Sequence, residues 1–320
     1  MRRAGGAALA AVLLLAGCGK PEREPAAIAG WSALHPAPLS RTEVGAARTG
    51  RFVYVAGGFR RSDGHTTGAV ERYDVDTDTW RRVRPLPTAL NHVAMAAHRS
   101  HVYVVGGYSA ATGLAEESAR LFRYDPDTDR WTPLRAMPRA RAALAAARVR
   151  DRLYVVGGAR DGKALRRLDV YDIGSNRWHQ GPPMPTAREH LAAASAGRYV
   201  YVLAGRAAGR GNFDVLERYD TETGRWKRLP HMAKPRGGIA AARVGGTIVV
   251  FGGEESAGTI REVERYDPAT ASWSRLPDMR TPRHGLGGVA RGRRVFAIEG
   301  GPQPGLHFSR AIEALNVAAP

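Results

Sequence analysis

Cysteine is nearly absent from this 320-residue chain: Cys18 is its single copy. Disulfides within the chain and cysteine-built metal sites are therefore excluded. Lysine is scarce too, since only four of the 48 basic residues are Lys and the rest are Arg. The formal net charge is +18, yet no Lys/Arg block or basic stretch interleaved with aromatics resembles a nucleic-acid module, so no nucleic acid is expected as a partner. Gly-rich phosphate loops and strained nucleophile elbows are missing as well. Apolar runs are short. The longest near the start, Ala7 to Ala16, is too short for a bilayer span and has the length of a signal-peptide core.

What is present begins with that address. Arg2 and Arg3 precede the apolar run, which ends in Leu15-Ala16-Gly17-Cys18. This segment resembles the lipobox of bacterial lipoproteins. The resemblance implies cleavage of residues 1–17, diacylglycerol on the Cys18 sulfur and acylation of the new amino terminus. Several acyl chains would anchor the protein stably, because each buried CH₂ contributes about 0.8 kcal/mol. Gly19, in place of an Asp, points to the outer membrane in a host that has one. Residues 18–30 read as a lipidated tether, and the product is expected to be exported and held at the cell envelope.

The remainder is periodic. An apolar run ends in Gly-Gly at Gly57-Gly58, Gly106-Gly107, Gly157-Gly158, Gly252-Gly253 and Gly300-Gly301, with Ala204-Gly205 filling the one gap. Each doublet is followed by a variable loop, a strand ending in Tyr-Asp (Tyr73-Asp74 to Tyr266-Asp267), a tight polar turn and a tryptophan: Trp80, Trp131, Trp178, Trp226 and Trp273. Four strand signals fall in each period of nearly 50 residues. One strand of each period, such as Leu144-Ala145-Ala146-Ala147, is built of small residues. The next, such as Leu153-Tyr154-Val155-Val156, is apolar on both faces, as a strand buried between two layers is.

This order of motifs resembles the Kelch repeat and covers the chain from Trp31 to Val317. The resemblance implies an all-β, six-bladed propeller over residues 31–317 with four-stranded blades. The last repeat stops before its tryptophan, whereas Trp31 precedes Gly57 by the 26 residues that separate Trp80 from Gly106. The N-terminal strand is therefore expected to close the ring as the outer strand of the last blade. A monomer is expected.

Function is expected in the loops that follow each doublet and in the turns entering the inner strands, which share one face. Five of those turns carry an arginine: Arg41, Arg141, Arg188, Arg236 and Arg283. In eukaryotic Kelch substrate adaptors, arginines at this point of some repeats grip acidic peptides. The resemblance assigns these five to ligand binding, with His92 and His190 beside them. The competing reading is that they cap strand-end carbonyls. Glu299 stands where the other blades are read as apolar, at Ala56, Val105, Val156, Leu203 and Phe251. A buried salt bridge or an acid/base role would account for it. Glu189 is the other catalytic candidate, and Glu43 and His284 are further polar groups near the mouth.

Galactose-oxidase-like Kelch enzymes need a copper-bound tyrosine linked to cysteine, which Cys18 as the lipid site cannot supply. His98-x-x-His101 lacks a third ligand in sequence, so neither a metal nor another cofactor is expected. The resulting expectation is a lipid-anchored binding module for an acidic saccharide or an acidic protein segment. The alternative is a carbohydrate-active enzyme similar to the sialic acid mutarotases, which are exported six-bladed Kelch proteins.

Overall fold

The computed structural model describes residue 1 and residues 30–60 and 64–318. Cys18, the expected signal peptide and nearly all of the expected tether lie outside the described residues. Among those residues the chain is all-β and forms six antiparallel sheets arranged as the four-stranded blades of a propeller, with the short strand Gly258–Thr259 added to the fifth.

In blade 1 the strands run Gly45–Thr49, Phe52–Ala56, Val70–Asp74 and Thr79–Val83, from the axis outward. Blades 2 to 5 repeat this order, with inner strands Ala94–His98, Ala145–Val149, Ala192–Ala196 and Gly237–Val244. Alanine and glycine dominate them because six strands converge there, and neighbouring inner strands pack directly on one another. Second strands such as Phe52–Ala56 and Tyr199–Leu203 are buried along almost their whole length between neighbouring sheets.

Blade 6 closes as expected. Its strands are Gly287–Arg291, Arg294–Ile298, Ile312–Asn316 and, from the other end of the chain, Trp31–Ala33. Trp31 pairs with Leu315, and its indole N–H donates to the Pro277 carbonyl of blade 5 at 3.0 Å. The other five tryptophans do the same between blades: Trp80 to His35, Trp131 to Arg84, Trp178 to Arg135, Trp226 to Pro182 and Trp273 to Pro230, at 2.7–3.0 Å. Five also stack on the tyrosine of their own blade at 4.9–5.1 Å between ring centroids. In blade 6 Leu315 replaces that tyrosine, and Trp31 instead meets Phe251 edge-on at 5.7 Å. These rings supply packing area with a polar handle that fixes each blade to the preceding one.

One register is corrected. Ile298, not Glu299, pairs with the inner strand as Ala56 does, so Glu299-Gly300 is the true counterpart of Gly57-Gly58. The backbone N–H of Gly58, Gly107, Gly158, Gly205, Gly253 and Gly300 each donates to the carbonyl ahead of the neighbouring inner strand, for example Gly58 to Leu90 and Gly300 to Arg41. The second position has φ between 90° and 105° in all six blades and is always glycine. The first has φ between 51° and 70°, within the left-handed region that other residues can enter at a cost, and there Ala204 and Glu299 stand.

Candidate functional site

The five arginines ahead of the inner strands do not line the mouth. Arg41, Arg141, Arg188, Arg236 and Arg283 are all fully buried between strands. Each guanidinium meets a carboxylate on the third strand of its own blade: Arg41–Glu71 at 3.0 Å, Arg141–Asp169, Arg188–Glu217 and Arg236–Glu264 at 2.7 Å, and Arg283–Glu313 at 3.2 Å. Other N–H groups at the guanidinium ends go to backbone carbonyls; Arg188, for example, donates to Ala204, Val215 and Val202. Burial pushes the Arg283 guanidinium down to about 10, against the opposing pull of Glu313 and Glu299.

Blade 2 explains the arrangement. Leu90 replaces the arginine there and Phe122 replaces the acid, and both are buried in one apolar cluster. The pair is exchanged as a unit, as expected when a lone buried charge is costly and a matched pair is not. The expected positive funnel on this face is therefore corrected: these arginines join strands within blades.

Glu299 belongs to the same framework. Its two oxygens lie 3.0 Å from Arg41 Nη2 and Nε, so Arg41 serves two carboxylates, Glu71 and Glu299. Burial raises the Glu299 carboxyl to about 7 despite Arg41, and burial likewise raises Glu71. Glu299 has no exposed surface.

Two residues beyond each arginine position the chain turns onto the axis. Glu43, His92, Ala143, His190, Gly238 and Gly285 occupy this point in blades 1 to 6, all with φ between 50° and 68°. A closed circuit of backbone bonds joins them: His92 donates to Glu43, Ala143 to His92, His190 to Ala143, Gly238 to His190 and Gly285 to Gly238, at 2.9–3.1 Å. Val44 completes the circuit by donating to Gly285 at 3.2 Å. The ring encloses a cavity of about 80 Å³ at one end of the central channel.

Three members carry ligating side chains, held by a second layer. His92 Nε2 lies 3.2 Å from Glu43 Oε2, while His92 Nδ1 meets Asn91 Oδ1 at 2.6 Å. His190 Nδ1 contacts Glu189, which Arg206 holds at 3.0 Å while also binding Glu254 at 2.7 Å. Glu43 Oε1 lies 3.2 Å from His284 Nδ1. Phe59 and Tyr108 meet the His92 ring edge-on at 5.7 and 5.6 Å.

Burial alone would raise the Glu43 carboxyl, but His92, His284 and His190 hold it well below the usual range. Burial lowers His92 to about 4 even though Glu43 pulls the other way. Burial would lower His284, yet Glu43 and Glu254 raise it. Glu189 stays below the carboxylate range through His190 and Arg206, which outweigh burial. His92, His190, Glu43, Glu189 and His284 are thus brought together at this end of the channel, without the five arginines.

At the other end the inner strands leave the axis. The channel there is a cavity of about 670 Å³ walled by alanines and, at its rim, by arginines. Arg48, Arg148 and Arg243 hold the same penultimate position of the inner strand in blades 1, 3 and 5, where blades 2, 4 and 6 have Ala97, Ser195 and Ala290. Their hydrogen bonds go to backbone carbonyls: Arg48 to Ala290 and Gly50, Arg148 to Arg150, and Arg243 to Gly245. Among the described residues none of the three has a carboxylate partner. Burial, with nearby Arg291, lowers Arg48 from its ordinary value. The sequence reading missed these arginines, whose signal was a charged residue interrupting the Ala-rich inner strand in alternate repeats.

On the same face His98 pairs with Asp151 of the next blade at 2.7 Å. His98 therefore serves an inter-blade contact.

Comparison with known proteins agrees with this architecture. The KLHDC2/KLHL20/DRC7 Kelch-repeats domain matches residues 43–232, more than half of the chain, and the Kelch motif matches residues 235–280. No curated protein matches the chain. With six blades, buried arginine–acid pairs and inter-blade tryptophans in place, the chain belongs to the Kelch-repeat family of β-propellers.

Proposed function

We propose that this propeller is an envelope-anchored interaction module that takes an acidic segment of a partner protein into the arginine-rimmed end of its channel. Kelch propellers commonly bind proteins, and a rigid scaffold of this kind suits recognition. The observation that carries the reading is the rim itself: Arg48, Arg148 and Arg243 surround an open cavity without a carboxylate to neutralise them among the described residues. Guanidinium groups on low-dielectric walls attract carboxylates and bind them through paired N–H donors. Acidic recognition thus moves to the face opposite the one expected from the sequence.

Anchoring rests on the lipobox-like segment ending at Cys18. Membrane fractionation of Cys18→Ser tests it: the variant is expected in the soluble or unprocessed fraction, and lipid-labelled variant in the membrane would contradict anchoring. Titrating the full chain with an oligoglutamate peptide, and separately with an oligouronate, tests the ligand class. Peptide affinity should fall steeply as salt rises. A preference for the oligouronate would assign a saccharide instead, and indifference to both would overturn the reading.

A further inference from the structure

We propose that Glu43, His92 and His190 form a binding site for a divalent transition-metal ion, of which zinc is the best fit, at the ring-enclosed end of the channel. One ligand atom from each of the three lies within 4.8 Å of the other two, and the Glu43–His92 pair is already at 3.2 Å. Tetrahedral zinc with bonds of about 2.0–2.1 Å sets neighbouring ligand atoms about 3.3 Å apart. Modest closing of the set around an ion therefore suffices. Two imidazoles and one carboxylate form the donor set of open, exchangeable sites rather than of closed structural ones.

The surroundings are those of a ligand set. Each candidate has its own orienting partner: Asn91 on His92 Nδ1, Glu189 on His190 Nδ1, and His284 on the outer oxygen of Glu43. With the protons of both imidazoles engaged at Nδ1, the Nε2 lone pairs are the ones left to coordinate. Arg206 fixes Glu189 in turn, giving a carboxylate–histidine arrangement of the sort that raises ligand basicity and fixes the tautomer.

The backbone points the same way. Glu43, His92 and His190 all take left-handed φ values near 50° at ring positions where blades 5 and 6 have glycine. Three side chains are thus kept at strained positions on the axis, and such strain gathers where geometry serves a ligand. The other three ring members, Ala143, Gly238 and Gly285, add almost no side chain. They leave the cavity of about 80 Å³ for a fourth, exchangeable ligand such as water.

The test is calorimetric titration of chelator-stripped full-length protein with zinc, paired with the visible spectrum on adding cobalt. One ion per chain is expected, with a cobalt spectrum of four- or five-coordinate type and a higher melting temperature. His190→Gln and Glu43→Gln should each weaken binding more than 100-fold. Glu189→Gln, which leaves all three ligands in place, should weaken it about 10- to 100-fold. Melting each variant without metal identifies any that has failed to fold; Glu189→Gln, which spares the ring residues, then carries the test. No stoichiometric binding, or binding unchanged in folded His190→Gln or Glu189→Gln, would overturn the proposal.

Discussion

Two sets of arginines, seven residues apart in blades 1, 3 and 5, have opposite fates. Arg41, Arg141, Arg188, Arg236 and Arg283 recur in five blades, are sealed from solvent and meet carboxylates within their own sheets. Arg48, Arg148 and Arg243 occur in alternate blades, reach the channel and meet only backbone carbonyls. In a repeat protein, what recurs in nearly every unit answers a need every unit shares, namely holding its strands together. What departs from the repeat is free to face a ligand. The ring at the other mouth follows the same rule, with Glu43, His92 and His190 standing where other blades have alanine or glycine.

The sharpest way to break this comparison is to remove a buried arginine. Arg188→Ala leaves the buried Glu217 with only the Thr186 hydroxyl at 2.7 Å and the more distant Arg228 at 3.9 Å, and should cost about 3 kcal/mol in denaturant unfolding. Arg188→Leu combined with Glu217→Phe copies blade 2, and should recover most of that loss. If the double variant is as unstable as the single one, the pair is not an exchangeable unit.

Trp31→Ala applies the same reasoning to the ring closure. It empties a buried ring and severs the bond to Pro277, with an expected loss of about 3 kcal/mol or more. An unchanged melting temperature would contradict closure by the N-terminal strand.

Smaller is the effect of pH through Glu299. Its carboxyl titrates near 7 when folded and near the ordinary 4.5 when unfolded. Between those values the folded state holds a proton that the unfolded chain has released, so stability should fall as pH rises from 4.5 to about 7. Glu299→Gln should flatten that slope in melts across the range, and an unaltered slope would assign the titration elsewhere. Least disruptive of all, Arg148→Gln should change stability by under about 0.5 kcal/mol while weakening peptide binding.

The fold was legible because the repeat states it several times, so that Trp80, Trp131 and the others could be aligned against one another. Trp31 could even be assigned to the last blade by its distance from Gly57. Glu299 was misplaced by one residue because Gly300-Gly301 resembles a doublet in sequence, whereas φ and hydrogen bonding identify Glu299-Gly300. The buried arginines were assigned to a ligand because a sequence shows a charge without its partner. The partners stand 28–30 residues downstream, and the joint loss in blade 2 at Leu90 and Phe122 was the available clue. His92 and His190 were recognised near the mouth, but their convergence with Glu43 depends on a backbone ring that only the three-dimensional arrangement reveals.

The central claim is that recurring arginines hold the fold and non-recurring ones bind. Thermal melting and oligoglutamate titration, run side by side on Arg188→Ala and on the triple variant Arg48→Gln, Arg148→Gln, Arg243→Gln, test it most directly. The account predicts a large drop in melting temperature for the first, and an unchanged melting temperature with lost binding for the second. A triple variant that unfolds, or one that binds as tightly as the parent, would contradict it.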